Sequence, residues 1–149
     1  MDTHTGIAVD KRPYEQFAAE DFLPFRAGIE AGAGCVLVSH NIVTCMDEAL
    51  PASLSPEVHR VLRQELGFEG VILTDDLAMG AINAYAKDGS AAVLAVLAGN
   101  DMIVTTDYRS QIPQVLAAVQ DGRISPEMLD AAVSRILRWK LELGLITLS

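Results

Sequence analysis

The sequence predicts an α/β fold, because one strand-like unit recurs along the chain with helix-like stretches between its copies. Each copy has a glycine, two or three linking residues, a short apolar run, and then a hydroxyl residue followed by His or Asp. The copies begin at Gly32, Gly67 and Gly99, which lie 35 and 32 residues apart. Strand–helix alternation at this spacing is typical of parallel βαβ units.

The apolar runs predict strands at residues 35–38, 71–73 and 102–104. Continuous apolar runs suit parallel strands that helices cover on both faces. The glycine before each run is expected at a helix end, where the left-handed conformation costs it little. His40, Asp75 and Asp107 would then follow the carboxyl ends of the strands, which is where α/β folds place their ligands.

Helices are predicted in the gaps, at about residues 13–31 with a break near Pro24, 55–66, 90–98 and 108–119, and from Ser125 until Gly144 stops the last one. Ser55-Pro56 and Ser125-Pro126 each place an N-cap serine before a proline at the first helical position. Nothing divides the chain, so residues 1–149 are expected to form a single α/β piece.

Composition excludes several classes of protein. The 149 residues are 50% hydrophobic and carry a net charge of −9, so the chain can bury a core and repels nucleic-acid phosphates and anionic membranes. No apolar run approaches the roughly 20 residues of a membrane span. The first residues lack the pattern of a secretory signal, so a cytoplasmic protein with reduced cysteines is predicted.

Taken alone, the residues leave the chemistry open. Three strands fit a small doubly wound sheet or part of a (β/α)8 barrel, which needs about 250 residues. Asp75 is either a helix cap or a carboxylate nucleophile or base. Asp2 and His4 form either a frayed terminus or an aspartate-oriented histidine. His40 is either a structural or a functional histidine. No histidine or cysteine spacing suggests a metal, and no cofactor motif is present.

Two adjacent stretches narrow these alternatives. Residues 50–57 (LPASLSPE) and 66–79 (LGFEGVILTDDLAM) resemble the N-terminal (β/α)8 domain of glycoside hydrolase family 3, most closely its β-N-acetylhexosaminidase branch. The resemblance extends to residues 19–33, 36–40, 98–102, 124–129 and 135–144. It implies that this chain is the C-terminal half of the barrel, with about three parallel strands and their helices.

The resemblance also implies a mechanism. Asp75 would be the nucleophile of a retaining two-step hydrolysis of β-linked N-acetylglucosamine. His4, oriented by Asp2, would be the general acid/base, and His40 would line the sugar site. Neither a metal nor another cofactor is implied. The barrel units that hold the sugar hydroxyls are missing from this chain, so weak or no activity is expected of it alone.

Two other functions remain open. The first is a non-catalytic half-barrel that self-assembles or complements a missing N-terminal half, because half a barrel exposes sheet edges and apolar surface. A homo-oligomer is therefore expected, with Val36, Leu37, Ile103 or Val104 near the interface. The second is a family 3 β-glucosidase, against which the Asp2-Thr3-His4 triplet argues.

Overall fold

The computed structural model describes residues 7–78, 80–86 and 90–148. In chain order its elements are β1 (Val9–Asp10), α1 (Tyr14–Gln16), α2 (Phe22–Glu30), β2 (Cys35–Val38), β3 (Ile42–Val43), α3 (Pro56–Arg60), β4 (Val71–Thr74), α4 (Gly80–Asn83), α5 (Ala91–Ala98), α6 (Tyr108–Gln120) and α7 (Pro126–Glu142). Two π-helical stretches, Phe17–Asp21 and Val61–Glu65, join α1 to α2 and extend α3, and a 3₁₀ turn covers Ala52–Leu54.

The centre of the fold is a parallel pair of strands. β2 and β4 align from Cys35 opposite Val71 to Val38 opposite Thr74. Both strands were predicted from their apolar runs, and the structure confirms them as parallel. A separate parallel pair of two residues each joins β1 to β3. The helical stretches between the strands make the chain an α/β fold.

The third predicted strand, at residues 102–104, is reduced to one parallel bridge between Leu73 and Met102. Side chains take the place of the backbone ladder on either side of that bridge. The N–H of Ile72 donates to Oδ2 of Asp101 at 2.9 Å, and the N–H of Val104 donates to Oγ1 of Thr74 at 3.1 Å. The segment lies beside β4 as expected, but two polar side chains replace the ladder hydrogen bonds on either side of its bridge.

The helices follow their predicted starts closely. Ser55 and Ser125 each accept a hydrogen bond from the backbone N–H three residues on, which confirms them as N-caps. Gly99 ends α5 in the left-handed conformation, with φ of 112°. The predicted break near Pro24 is wrong, because the chain stays helical from Tyr14 to Glu30 and changes from π-helical to α-helical geometry at Phe22.

The two faces of the strand pair differ in burial. Val38 and Ile72 point towards the helices, where they pack in one core cluster with Ala52, Leu62 and Phe68. The opposite face carries an apolar row consisting of Leu37, Leu73, Met102 and Val104, of which Leu37 is 54% exposed and Val104 42% exposed. We call this set the open row. Nothing in the described part of the chain covers it fully.

The last helix lies against the amino-terminal ends of the strands. Nε of Arg135 in α7 donates to Oδ1 of Asp101 at 2.8 Å. The indole of Trp139 fills the space beside Gly34, where an added Cβ would lie 2.5 Å from Nε1. α7 therefore occupies the end of the sheet opposite to that of Asp75, and the carboxyl ends of the strands remain open for a site.

Candidate active site

Asp75 and Asp76 form a turn directly after β4, at the carboxyl end of the strand pair. The N–H of Asp75 donates to the carbonyl oxygen of Val38 at 3.1 Å, which ties the turn to the end of β2. The N–H of Leu77 donates to the carbonyl oxygen of Val104 at 3.0 Å, which ties it to the segment on the other side. The position of Asp75 is thus fixed by hydrogen bonds to both neighbouring segments.

The two carboxylates of this turn differ in their partners. Oδ1 of Asp75 accepts a hydrogen bond from the N–H of Asp76 at 2.8 Å, and Oδ2 accepts none from the described residues. Oδ1 of Asp76 accepts from the N–H of Ala78 at 2.9 Å and from the N–H of Thr106 at 3.0 Å. Oδ2 of each carboxylate has no hydrogen bond from the described residues, so the difference lies in Oδ1: that of Asp76 holds the turn and the Thr106 segment together, whereas that of Asp75 accepts only from the next residue.

The hydrogen bond from the Ala78 N–H is the main cause that lowers the pKa of Asp76 below its usual value, and the Thr106 N–H adds to it. A carboxyl group whose pKa is lowered on folding adds stability above its unfolded pKa. That stability is lost as the pH falls through the folded value.

We expect Asp76→Asn to be less stable than the parent chain at neutral pH, because the amide accepts these hydrogen bonds without a charge. The difference should shrink as the pH falls below about 4, where the parent carboxylate becomes protonated. Urea unfolding of both proteins across this range measures the difference. A difference in the free energy of unfolding that stays constant down to about pH 2 would contradict the stabilising role given to the Asp76 carboxylate.

His40 lies behind the same turn and is only 8% exposed. Its Nε2 lies 3.0 Å from the carbonyl oxygen of Asp76, and its Nδ1 lies 2.7 Å from Oγ of Ser53. Because a carbonyl oxygen only accepts, Nε2 carries the hydrogen and Nδ1 of the neutral ring accepts from the serine hydroxyl. Both ring nitrogens are thus bound within the protein, and contact between His40 and a sugar stays a prediction.

The structure gives less information on the other candidate residues. Asp2 and His4 lie outside the described residues, so the structure gives no distance or hydrogen bond for the predicted Asp2–His4 pair. Asp107 is at the N-cap position of α6 but makes no capping hydrogen bond with its side chain. His59 is buried at 3% exposure and its Nδ1 donates to the carbonyl oxygen of Ser55.

The described part of the chain has neither a cluster of metal ligands nor a membrane-spanning helix. No three His, Cys, Asp or Glu side chains within residues 7–78, 80–86 and 90–148 are grouped as they would be around a metal ion. None of the helices in these ranges is long and apolar enough to cross a membrane.

Comparison with known proteins identifies the family. The sequence model for the glycosyl hydrolase family 3 N-terminal domain matches residues 1–139. The chain belongs to glycosyl hydrolase family 3. The resemblance seen in residues 50–57 and 66–79 is thereby confirmed, and the parallel α/β arrangement agrees with the barrel-like fold of this domain.

Family 3 relatives match nearly the whole chain. A beta-hexosaminidase of Xanthomonas oryzae pv. oryzae (strain MAFF 311018) is 36% identical over 136 residues, covering 90% of this chain and 40% of the relative. One from Stenotrophomonas maltophilia (strain K279a) is 35% identical over 135 residues, with the same shares. The solved family 3 beta-N-acetylglucosaminidase of Paenibacillus sp. str. FPU-7 is 36% identical with a TM-score of 0.90, covering all of this chain and 30% of that one. The chain thus spans about 40% of the length of its curated relatives.

Proposed function

We propose that this chain supplies the nucleophile of a retaining glycoside hydrolase that acts on β-linked N-acetylglucosamine. The observation that supports this most strongly is the contrast within the Asp75–Asp76 turn. Asp75 is fixed at the carboxyl end of the parallel pair and accepts only the N–H of its neighbour Asp76, while Oδ1 of Asp76 accepts two backbone N–H groups that tie the turn to the Thr106 segment. The names of the relatives, beta-hexosaminidase and beta-N-acetylglucosaminidase, support the substrate class.

In the proposed reaction the Asp75 carboxylate attacks the anomeric carbon, and a covalent glycosyl-enzyme forms as the leaving oxygen departs. His4, oriented by Asp2, protonates that leaving oxygen and later removes a proton from the attacking water. An imidazole suits both steps because it titrates near neutral pH. Water then displaces Asp75, so the sugar keeps its anomeric configuration.

The chain is further proposed to be the C-terminal half of a (β/α)8 barrel, in one piece over residues 1–149 and located in the cytoplasm. Three parallel segments are three of the eight strands that such a barrel needs. The shares of 40% and 30% of its relatives' lengths agree with half a catalytic domain. The rest of the sugar site would then lie outside these 149 residues, in an N-terminal half or in a second copy.

An assay with an aryl β-N-acetylglucosaminide tests this proposal. The chain is measured alone and mixed with the part of the Xanthomonas oryzae beta-hexosaminidase that lies outside the matched region. We expect weak or no hydrolysis alone and an increase on mixing, with the matching aryl β-glucoside as the control for the sugar. Equal cleavage of both sugars would support a β-glucosidase, and no cleavage under any condition would contradict the proposed activity.

The open row favours a second candidate function, that of a non-catalytic half-barrel that self-assembles. Leu37 at 54% exposure, Met102 at 37% and Val104 at 42% form one apolar surface on the face away from the helices. Monomers rarely leave such a surface uncovered on the inner side of a sheet. A second copy related by a two-fold axis would cover the open row of each partner.

Self-assembly predicts a dimer or larger species at about 100 µM by sedimentation, with dissociation at high dilution. Leu37→Lys should weaken it at least about tenfold, because a charge replaces a side chain that the partner buries. Leu23→Lys is the matched control, since Leu23 is equally exposed at 56% but lies on α2 and is not part of the open row. A parent chain that remains monomeric at this concentration would contradict self-assembly.

A further inference from the structure

A buried polar chain runs from the start of the last strand segment to the candidate nucleophile. Nδ2 of Asn100 donates to the carbonyl oxygen of Ser53 at 2.8 Å and also to that of Ala95 at 2.8 Å. Oγ of Ser53 reaches Nδ1 of His40, and Nε2 of His40 reaches the carbonyl oxygen of Asp76. Asn100, Ser53 and His40 are 3%, 0% and 8% exposed. Unsatisfied polar groups are costly at such depth, so each bond in the chain limits the freedom of the next group.

Ser53 is itself held in three ways. Its N–H donates to the carbonyl oxygen of Ser39 at 3.1 Å, its own carbonyl oxygen accepts from Asn100, and its hydroxyl contacts the His40 ring. The Asp76 carbonyl oxygen can only accept a hydrogen bond, so the ring hydrogen lies on Nε2. The serine hydroxyl donates to Nδ1 and holds the ring in the orientation in which Nε2 reaches that carbonyl.

We propose that His40 is a positioning residue, which fixes the Asp75–Asp76 turn through the Asp76 carbonyl oxygen and which Ser53 holds in place through Nδ1. The assignment rests on the proposed role of Asp75 and differs from a direct contact between His40 and the sugar. The Asp76 carbonyl belongs to the peptide that follows the bond between the two aspartates. Holding it limits rotation of the turn from which the Asp75 carboxylate projects.

The first test needs no substrate and no activity. In the 149-residue chain, nitrogen-15 NMR of the histidine ring should show His40 with a protonated Nε2 and an unprotonated Nδ1. Ser53→Ala should leave the hydrogen on Nε2, because the Asp76 carbonyl oxygen still accepts it, and should shift the Nδ1 signal, because Nδ1 loses its hydrogen bond from the hydroxyl. A parent His40 protonated on Nδ1 alone, or an Nδ1 signal unaffected by Ser53→Ala, would overturn the proposal whether or not the chain is a hydrolase.

The second test uses variants of His40. His40→Gln keeps an N–H near the position of Nε2, and His40→Ala removes it. Backbone amide signals of Asp75, Asp76 and Thr106 should move in the alanine variant and return close to their parent positions in the glutamine variant. His59→Ala is the matched control, because His59 is equally buried and bonded to a carbonyl oxygen but does not touch the turn.

Activity then separates positioning from sugar contact. In whichever assembly hydrolyses the aryl β-N-acetylglucosaminide, His40→Ala should lower kcat at least about tenfold with KM within about twofold, and His40→Gln should restore most of it. A rise in KM with kcat unchanged would overturn positioning in favour of sugar contact. If no assembly is active the proposed function fails, and the two NMR tests still decide the role of His40 in holding the turn.

Discussion

Asp75→Asn is expected to reduce hydrolysis of an aryl β-N-acetylglucosaminide at least about 1,000-fold in any assembly that is active, because the amide cannot form the glycosyl-enzyme. The fold should be unaffected. Oδ1 of Asp75 accepts a single hydrogen bond, from the Asp76 N–H, and the amide oxygen of asparagine accepts it equally well. Steady-state kinetics with matched circular dichroism spectra measure both expectations.

Asp76→Asn is the matched control for this experiment, one residue away in the same turn. Its amide oxygen still accepts from the N–H groups of Ala78 and Thr106, so activity should fall by less than about tenfold. If the asparagine at position 76 abolishes activity and that at position 75 does not, the assignment of the nucleophile is off by one residue.

Asp101→Ala is expected to produce the largest loss of stability, about 3 to 5 kcal/mol of the free energy of unfolding. The Asp101 side chain is 1% exposed and bonds Nη2 of Arg63 at 2.7 Å, Nε of Arg135 at 2.8 Å and the N–H of Ile72 at 2.9 Å. Burial is the main cause that lowers the pKa of Arg63, and the charge of Asp101 opposes it. Removing Asp101 leaves two arginines close together without their shared anion.

Urea unfolding measures the loss in the free energy of unfolding. If Asp101→Ala does not fold, Asp101→Asn is the milder variant for the same measurement. Asp121→Ala is the control, because Asp121 also pairs with an arginine, Arg123, but both side chains are about half exposed. The Asp121 variant should unfold at nearly the parent midpoint. Similar midpoints for the Asp101 and Asp121 variants would show that the buried cluster does not stabilise the fold.

The regular parts of the fold could be predicted from local pattern. The runs at 35–38 and 71–73 are strands because they are continuously apolar and follow glycines, and two serine–proline pairs mark helix starts. The run at 102–104 is equally apolar, yet Asp101 and Thr74 take two of its ladder hydrogen bonds. The replacement of backbone hydrogen-bond acceptors by side chains depends on residues from two different segments. The pattern within one segment does not reveal it.

The candidate site could be predicted only in part. The position of the site after β4 could be predicted, because Asp75 closely follows the apolar run at residues 71–73 and therefore lies at a strand end. The opposite roles of Asp75 and Asp76 depend on Thr106, which is 30 residues further along the chain. The partners of His40 are likewise distant, with Ser53 13 residues and Asp76 36 residues away. No spacing rule connects residues so far apart, and a buried serine gives no signal in sequence.

The irregular last strand segment also limits how copies of this chain can add to one another. Open-ended fibre growth needs two complementary edges, so that the edge of β2 in one copy continues the segment at residues 101–104 in the next. That segment pairs with β4 through a single bridge, so its backbone is not a regular strand, and an irregular backbone is a poor template for a further strand on its other edge. If β2 of one copy pairs with β2 of another across a two-fold axis, the regular strand edge of both copies is covered. No regular strand edge then remains for a third copy. Assemblies of this chain should therefore close at a finite size instead of elongating into filaments.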